Sequence, residues 1–230
     1  MNGFVQSSAY FGVVLTFVSY AIGVFLNKKT KCALINPILV SVVLVIAVLV
    51  IARIDYDAYY ESAKVISFFL TPTTVCLAVP LYEKLHLLRR NAIAILVGIL
   101  SGVLASLVSI FVMAELFNFS HTEYVTFLPK SITTAIGIGV SEELGGMVTL
   151  TAAVIIVTGM TGNILAPFLL RLIRVTDPIA RGIAIGTASH AIGTSRAIEM
   201  GEVEGAMSGL AIAVAGLITV VGASLFAELL

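Results

Sequence analysis

The chain has no tryptophan, 2 cysteines and 6 prolines, and charged residues fill only 11% of its 230 positions. The shortage of charge is the most restrictive of these. A soluble domain carries roughly a quarter charged residues, because its surface must face water. Here 13 basic and 13 acidic side chains fall mostly in short clusters between apolar runs, 59% of residues are apolar, and mean hydropathy is +1.10. Such a chain has lipid as its solvent, with no water-soluble domain of its own. Net charge is zero, which argues against a nucleic-acid partner and against a polybasic membrane-surface patch. Cys32 and Cys76 show no Cys/His ligand spacing, so neither a disulfide framework nor a metal site is expected. A phosphate-binding glycine loop and a nucleophile elbow are also lacking, which argues against an enzyme and against a cofactor.

What is present is a series of long apolar segments, at 4–26, 33–54, 64–88, 91–117, 147–172, 179–199 and 205–229. About 20 apolar residues in helical form cross the hydrocarbon core. Backbone groups unsatisfied in lipid exclude lone strands, and no dyad alternation suggests a barrel. The expected fold is therefore an all-α polytopic membrane protein with about seven to eight transmembrane helices, a single transmembrane domain over 1–230. The first segment has no basic residues before it and Lys28, Lys29 and Lys31 after it, as in a retained helix rather than a signal peptide.

Basic residues also follow the third segment (Lys84, Arg89, Arg90) and the segment ending near Leu172 (Arg171, Arg174, Arg181), whereas acids collect in the second loop, at Asp55, Asp57 and Glu61, and in the fourth, at Glu115 and Glu123. Placing the basic loops in the cytoplasm puts the N-terminus outside. All three fit only if the more polar stretch 125–146 is re-entrant or broken and makes no net crossing. Segments within 33–117 and 147–229 then form two inverted units, with an echo of Ser101-Gly102-Val103-Leu104-Ala105 in Ser208-Gly209-Leu210-Ala211. Inverted repeats with interrupted helices are a common build of secondary transporters.

Three segments carry polar or helix-breaking residues inside apolar surroundings. In the first, Pro72 frees backbone carbonyls, and Thr71, Thr73 and Thr74 can satisfy either those groups or a substrate. In the second, Pro129 precedes Lys130, Ser131, Thr133 and Thr134, the pattern of a helix start whose amides and lysine attract an anion; a lysine snorkelling to the headgroups is the alternative. Glu142 and Glu143, which end this stretch, read as a solvated loop. The third runs from Gly186 to Gly205 and holds Ser189, His190 and Thr194. His190 and Thr194 share a helix face. A membrane histidine is a functional candidate that can couple transport to protons near neutral pH, or else a neutral bridge between helices. Asn163, beside Gly159 and Gly162, reads as a packing residue supporting the site, and Arg196 as an ion-pair partner of Glu199 at the membrane edge.

The stretches Phe69–Tyr82, Leu128–Thr134, Gly186–Thr194 and Glu199–Gly205 resemble the LrgB/CidB family of bacterial membrane proteins. Two departures stand out: the family usually has Gly-Pro-Ala where Thr71-Pro72-Thr73 stands, and proline is common at the position of Ala135. The resemblance implies a multi-pass protein of the bacterial inner (plasma) membrane, with a smaller LrgA/CidA-type membrane partner. It also implies a likeness to the bile-acid symporter and cation–proton antiporter superfamily. The family's historical label is antiholin-like, or murein-hydrolase regulator, while plastidial relatives move glycolate and glycerate and bacterial ones are associated with pyruvate. Two functions are thus expected. The first is a proton-coupled secondary transporter or exporter of a small monocarboxylate, with Lys130, Ser131, Thr133, Thr134, Thr71, Thr73, Thr74, Ser189, His190 and Thr194 around the anion. The second is a holin-like or antiholin-like regulator of autolysis that works as a homo-oligomer. Polar breaks and a buried histidine favour the first.

Overall fold

The computed structural model describes residues 10–30, 37–69, 72, 76, 78–83 and 85–230. Thr71, Thr73 and Thr74 lie outside the described residues. Every regular element among the described residues is an α-helix. The helices are α1 (Phe11–Thr30), α2 (Pro37–Ile51), α3 (Tyr56–Phe68), α4 (Ala78–Glu83), α5 (Leu85–Phe117), α6 (His121–Phe127), α7 (Thr134–Glu143), α8 (Val148–Leu172), α9 (Pro178–Met200) and α10 (Glu202–Ala227). They fall into two compact units, Met1–Cys76 and Leu77–Leu230.

In the first unit α1 packs against α2 and α3. The charged stretch after α2, read above as a loop, is helix α3. Its turns are tied by stacking of Tyr56 on Tyr60 at 6.0 Å and by a Glu61–Lys64 ion pair one turn apart. Gly12 lets α3 approach closely enough for the Ser62 hydroxyl to accept from the Gly12 amide at 2.8 Å, and Tyr59 bonds Thr16 at 2.8 Å. The segment 64–88 is not one continuous helix: α3 ends at Phe68 and α4 occupies Ala78–Glu83.

In the second unit α5 and α8 are long helices that end alike. Asn118 and Arg174 adopt left-handed backbone (φ 52° and 58°). They close the last turns through Phe119 N–H to Ala114 O and Val175 N–H to Leu170 O, both 2.9 Å. A new helix then starts on a side-chain cap. Ser120 and Glu123 form a capping box before α6, in which the Ser120 amide and then its hydroxyl hold the Glu123 carboxyl below the usual carboxylate range. Asp177 accepts from the Ala180 amide at 2.9 Å before α9, with Pro178 in the first turn.

Each of these new helices leads into a hairpin. After α6 the chain breaks at Leu128–Thr133, and α7 returns antiparallel, with Gly137 against the Pro129 carbonyl and Gly146 against Thr126. Helix α9 is folded back on itself at His190, whose backbone (φ 42°, ψ −142°) is not helical. Gly193 lies against Ile185, eight residues earlier and roughly 12 Å away along a straight helix. The limb before the break runs parallel to α5, Gly98 facing Ile183 and Gly102 facing Thr187. It also runs parallel to α10, Gly182 facing Glu204 and Gly186 facing Ser208. The limb after the break runs antiparallel to α10, Thr194 meeting Ser208 and Ile198 meeting Gly205.

Two expectations change here. The segment 179–199, read as one crossing, turns back at its midpoint because His190 interrupts the helix. The shared motifs around Gly102 and Gly209 lie in α5 and α10, which run in the same direction rather than in inverted units. It is α8 that opposes α5: Gly162 faces Ser189, and Leu170 packs with Ile185. The α6–α7 hairpin therefore enters from the C-terminal end of α5, and the α9 hairpin from the opposite end. The core between α5 and α10 is built from Ile99, Val103 and Leu107 against Met207, Ala211 and Ala215. Tyr124 closes one end of it by donating to the Phe226 carbonyl at 2.9 Å.

Among the described residues 4 helices can cross a membrane by length and composition: α1, α5 from Arg89, α8 and α10; α2 is apolar but shorter. Ser62→Ala removes the acceptor of the Gly12 amide, a change of about 1–2 kcal/mol. A lower melting temperature in detergent is expected, and an unchanged one would show that α3 does not anchor α1.

Candidate functional site

Burying a break in a helix requires partners for its backbone groups. At His190 they come from Thr194 of α9 itself and from Asn163 of α8, with Ser208 of α10 behind Thr194. The imidazole Nε2 lies 3.0 Å from the Ile155 carbonyl, which can only accept, so Nε2 carries the proton. Thr194 donates to the His190 carbonyl at 2.9 Å, so its proton is engaged, and it accepts from Ser208 at 2.7 Å. Asn163 donates both amide hydrogens to the second limb, to Ile192 O at 2.7 Å and Ser195 Oγ at 2.9 Å. Glycines make room for this: Gly159 faces the His190 ring, and a Cβ at Gly162 would lie 1.6 Å from Ser189 Oγ. Ser189, His190 and Thr194 are all buried. At the base of the hairpin, buried Glu204 meets Arg181 at 3.9 Å, and Arg196 pairs with Glu199 at 2.5 Å.

The second hairpin tip faces a cavity. Lys130 donates to Ser106 on α5 and to Ser131, both at 3.1 Å, and the two hydroxyls lie 3.0 Å apart. An ammonium has three donors, so this triangle leaves one for a ligand. Lys130 makes no ion pair among the described residues. The cavity, about 1010 Å³, runs along the small-residue face of α5 from Asn91 to Ser109 and is closed by Lys130, Ser131 and the first limb of α9, including Thr187. Asn91 breaks the helical backbone of α5 (φ −116°, ψ 17°) and ties its side chain to Leu87 O at 3.0 Å.

The sequence-predicted residues thus separate into two groups. Lys130 and Ser131 line the cavity, whereas Ser189, His190 and Thr194 form the helix crossing beside it. Thr133 is the N-cap of α7 and makes no side-chain cap bond; Thr134 follows it, and neither lines the cavity. Asn163 lies outside the cavity and ties α8 to the second limb of α9. Glu142 and Glu143 are exposed, in the last turn of α7 rather than in a loop. Sequence reasoning missed Ser106, Ser109 and Thr187 as lining residues. Their signal was a stripe of small residues, Gly98, Gly102, Ala105, Ser106 and Ser109, recurring at helical spacing in an otherwise large-residue helix.

The motifs that form these two hairpins are also those that carry the family resemblance. The LrgB-like family profile matches residues 16–229. The chain belongs to the LrgB-like family. It is 37% identical over 218 residues, 94% of this chain and 95% of the relative, to "Antiholin-like protein LrgB" of Bacillus cereus (strain B4264). The same figures hold for the protein of that name from Bacillus anthracis (strain A0248). No solved structure matches the chain significantly.

Gly162→Ala tests the crossing. An exposed helical glycine gains up to about 1 kcal/mol on this change, but here the methyl meets Ser189. A lowered melting temperature is expected, partly restored by adding Ser189→Gly in a double-mutant cycle. A more stable single variant would refute close packing of α8 on the α9 hairpin.

Proposed function

We propose that this protein is a secondary transporter or exporter of small monocarboxylates such as pyruvate or glycolate, coupled to protons, in the bacterial inner membrane. The observation that carries this is Lys130: a cation at a hairpin tip, lining a cavity, held by hydroxyls and by no carboxylate among the described residues. A carboxylate can accept from the ammonium and from Ser106 and Ser131 together, and charge-assisted bonds of this kind are the strong ones. Thr133 and Thr134 begin α7 just after the tip, so the positive end of that helix adds to the local potential without lining the cavity. His190, at the other tip, is the coupling group in this reading. It acts by altering the crossing, since it does not line the cavity.

Topology follows from the charges. Arg89, Arg90, Arg171, Arg174 and Arg181 lie toward one end of the second unit, and Glu115, Glu123, Glu142, Glu143 and Glu228 toward the other. With the basic end in the cytoplasm, the α6–α7 hairpin enters from outside and the α9 hairpin from inside. Neither makes a net crossing. Residues 85–143 and 148–200 are then inverted copies of one unit, a long helix followed by a hairpin, in place of the division at 33–117 and 147–229. Two such units around a midplane site are a recurrent transporter build. An LrgA/CidA-type protein is the partner in this reading.

Purified protein in liposomes, with and without that partner, should accumulate or release labelled pyruvate or glycolate. Lys130→Gln should lower the flux by about 10-fold or more, the loss of a charged hydrogen bond. Absence of wild-type flux under both conditions would sink the reading. The name of the relatives favours a second one, a homo-oligomeric holin-like or antiholin-like regulator of murein hydrolase activity and autolysis. Release of large dyes from the liposomes without saturable acid flux would select it.

A further inference from the structure

The second limb of the site comes from the other hairpin. Thr187 is 5% exposed, and its hydroxyl oxygen is buried with no hydrogen-bond partner among the described residues. Such a group costs about 1–3 kcal/mol if nothing meets it, and buried hydroxyls in native proteins nearly always have a partner. Its neighbours are otherwise well satisfied: Ser208, Thr194, His190 and Asn163 all bond one another's elements. Thr187 differs in lining the Lys130 cavity. Its methyl is turned to Gly102, where a Cβ would lie 2.6 Å from Thr187 Cγ2 and 3.8 Å from the hydroxyl. Gly102 and Ser106 are one turn apart on the same face of α5, which places Thr187 about one turn, roughly 5–6 Å, from the Lys130–Ser106–Ser131 triangle. Thr187 and the triangle line the same cavity, so one small molecule is long enough to meet both.

We propose that Thr187 is the second anchor of the site: its hydroxyl bonds an oxygen of the ligand other than those held by Lys130, so that one small molecule ties together two hairpins that enter from opposite ends. This rests on the transport reading and assigns selectivity within it. An acid with a second oxygen uses both anchors; a plain aliphatic acid uses only the lysine. The ligand also becomes the link between the two inverted units, which is what a site between moving halves requires.

The test is flux in liposomes with Thr187→Val, which keeps the shape and removes the hydroxyl, and Thr187→Ser, which keeps the hydroxyl. Thr187→Val should raise KM for glycolate by about 3- to 10-fold, the range of one neutral hydrogen bond. Acetate transport should be unchanged, and Thr187→Ser should stay near wild type. Wild-type flux with equal KM values in Thr187→Val overturns this inference alone, and no wild-type flux overturns the transport reading with it. Should Thr187→Val fail to accumulate, Thr187→Cys gives the same answer. Glycolate slowing its alkylation at position 187, read by mass spectrometry, supports the anchor; no protection overturns it.

Discussion

A helix can be broken inside an apolar bundle only where other side chains take over its backbone groups, because neither lipid nor a packed core supplies partners. The second unit depends on one such replacement. His190 takes a left-handed backbone that a non-glycine residue adopts at a cost of about 1–3 kcal/mol, and the limbs on either side of it are held by groups from other helices. Ile155 receives the imidazole, Asn163 holds Ile192 and Ser195, and Thr194 links the His190 carbonyl to Ser208. Straightening α9 would leave these groups without their partners. The hairpin is therefore the arrangement in which this polar sequence can be buried at all.

The glycines complete the same argument from the steric side. Polar side chains as short as serine and threonine reach across a helix pair only when the backbones are close, and Gly159, Gly162, Gly182 and Gly186 give that proximity. Close packing in turn places Thr187 on α5 and Ser208 under Thr194. The polar network and the small-residue seams are one feature described twice: hydrogen bonds fix the direction of the limbs, and absent side chains set their distance.

Much of this was legible before any coordinates. Scarce charge and long apolar runs identify a lipid-dissolved helical chain, and Pro129 with its hydroxyl neighbours and the Gly186–Thr194 stretch mark both hairpin tips. What was not legible is the direction of the chain after each tip. A run such as 179–199 has the length of a crossing whether it passes through or folds back, and a single backbone torsion at His190 decides it. The α3 helix was hidden for a related reason: its charges read as a loop, while the contacts that hold it, Gly12 with Ser62 and Thr16 with Tyr59, join residues far apart in sequence. Ser106 and Thr187 were visible as residue types, but their meeting at one cavity needs the parallel register of α5 with the first limb of α9.

That register also bears on the two functions. A lesion needs helices whose polar faces meet water along their whole length, whereas here the polar side chains turn inward and spend most of their donors on the protein itself. Ser189, Thr194 and Ser208 are buried in the helix seams, and the lipid-facing surface is left to residues such as Leu217, Val221 and Leu225. Among the described residues the unspent donors are few, and apart from the buried Arg196 Nε they are one on Lys130 and the Thr187 hydroxyl, on two residues that line the same cavity. In the proposed transport reading, unmatched groups on opposite hairpins, Lys130 and Thr187, are what a chain organised around a small polar guest would keep. An effect on autolysis is compatible with this through the flux of that guest, with no requirement for a hole in the bilayer.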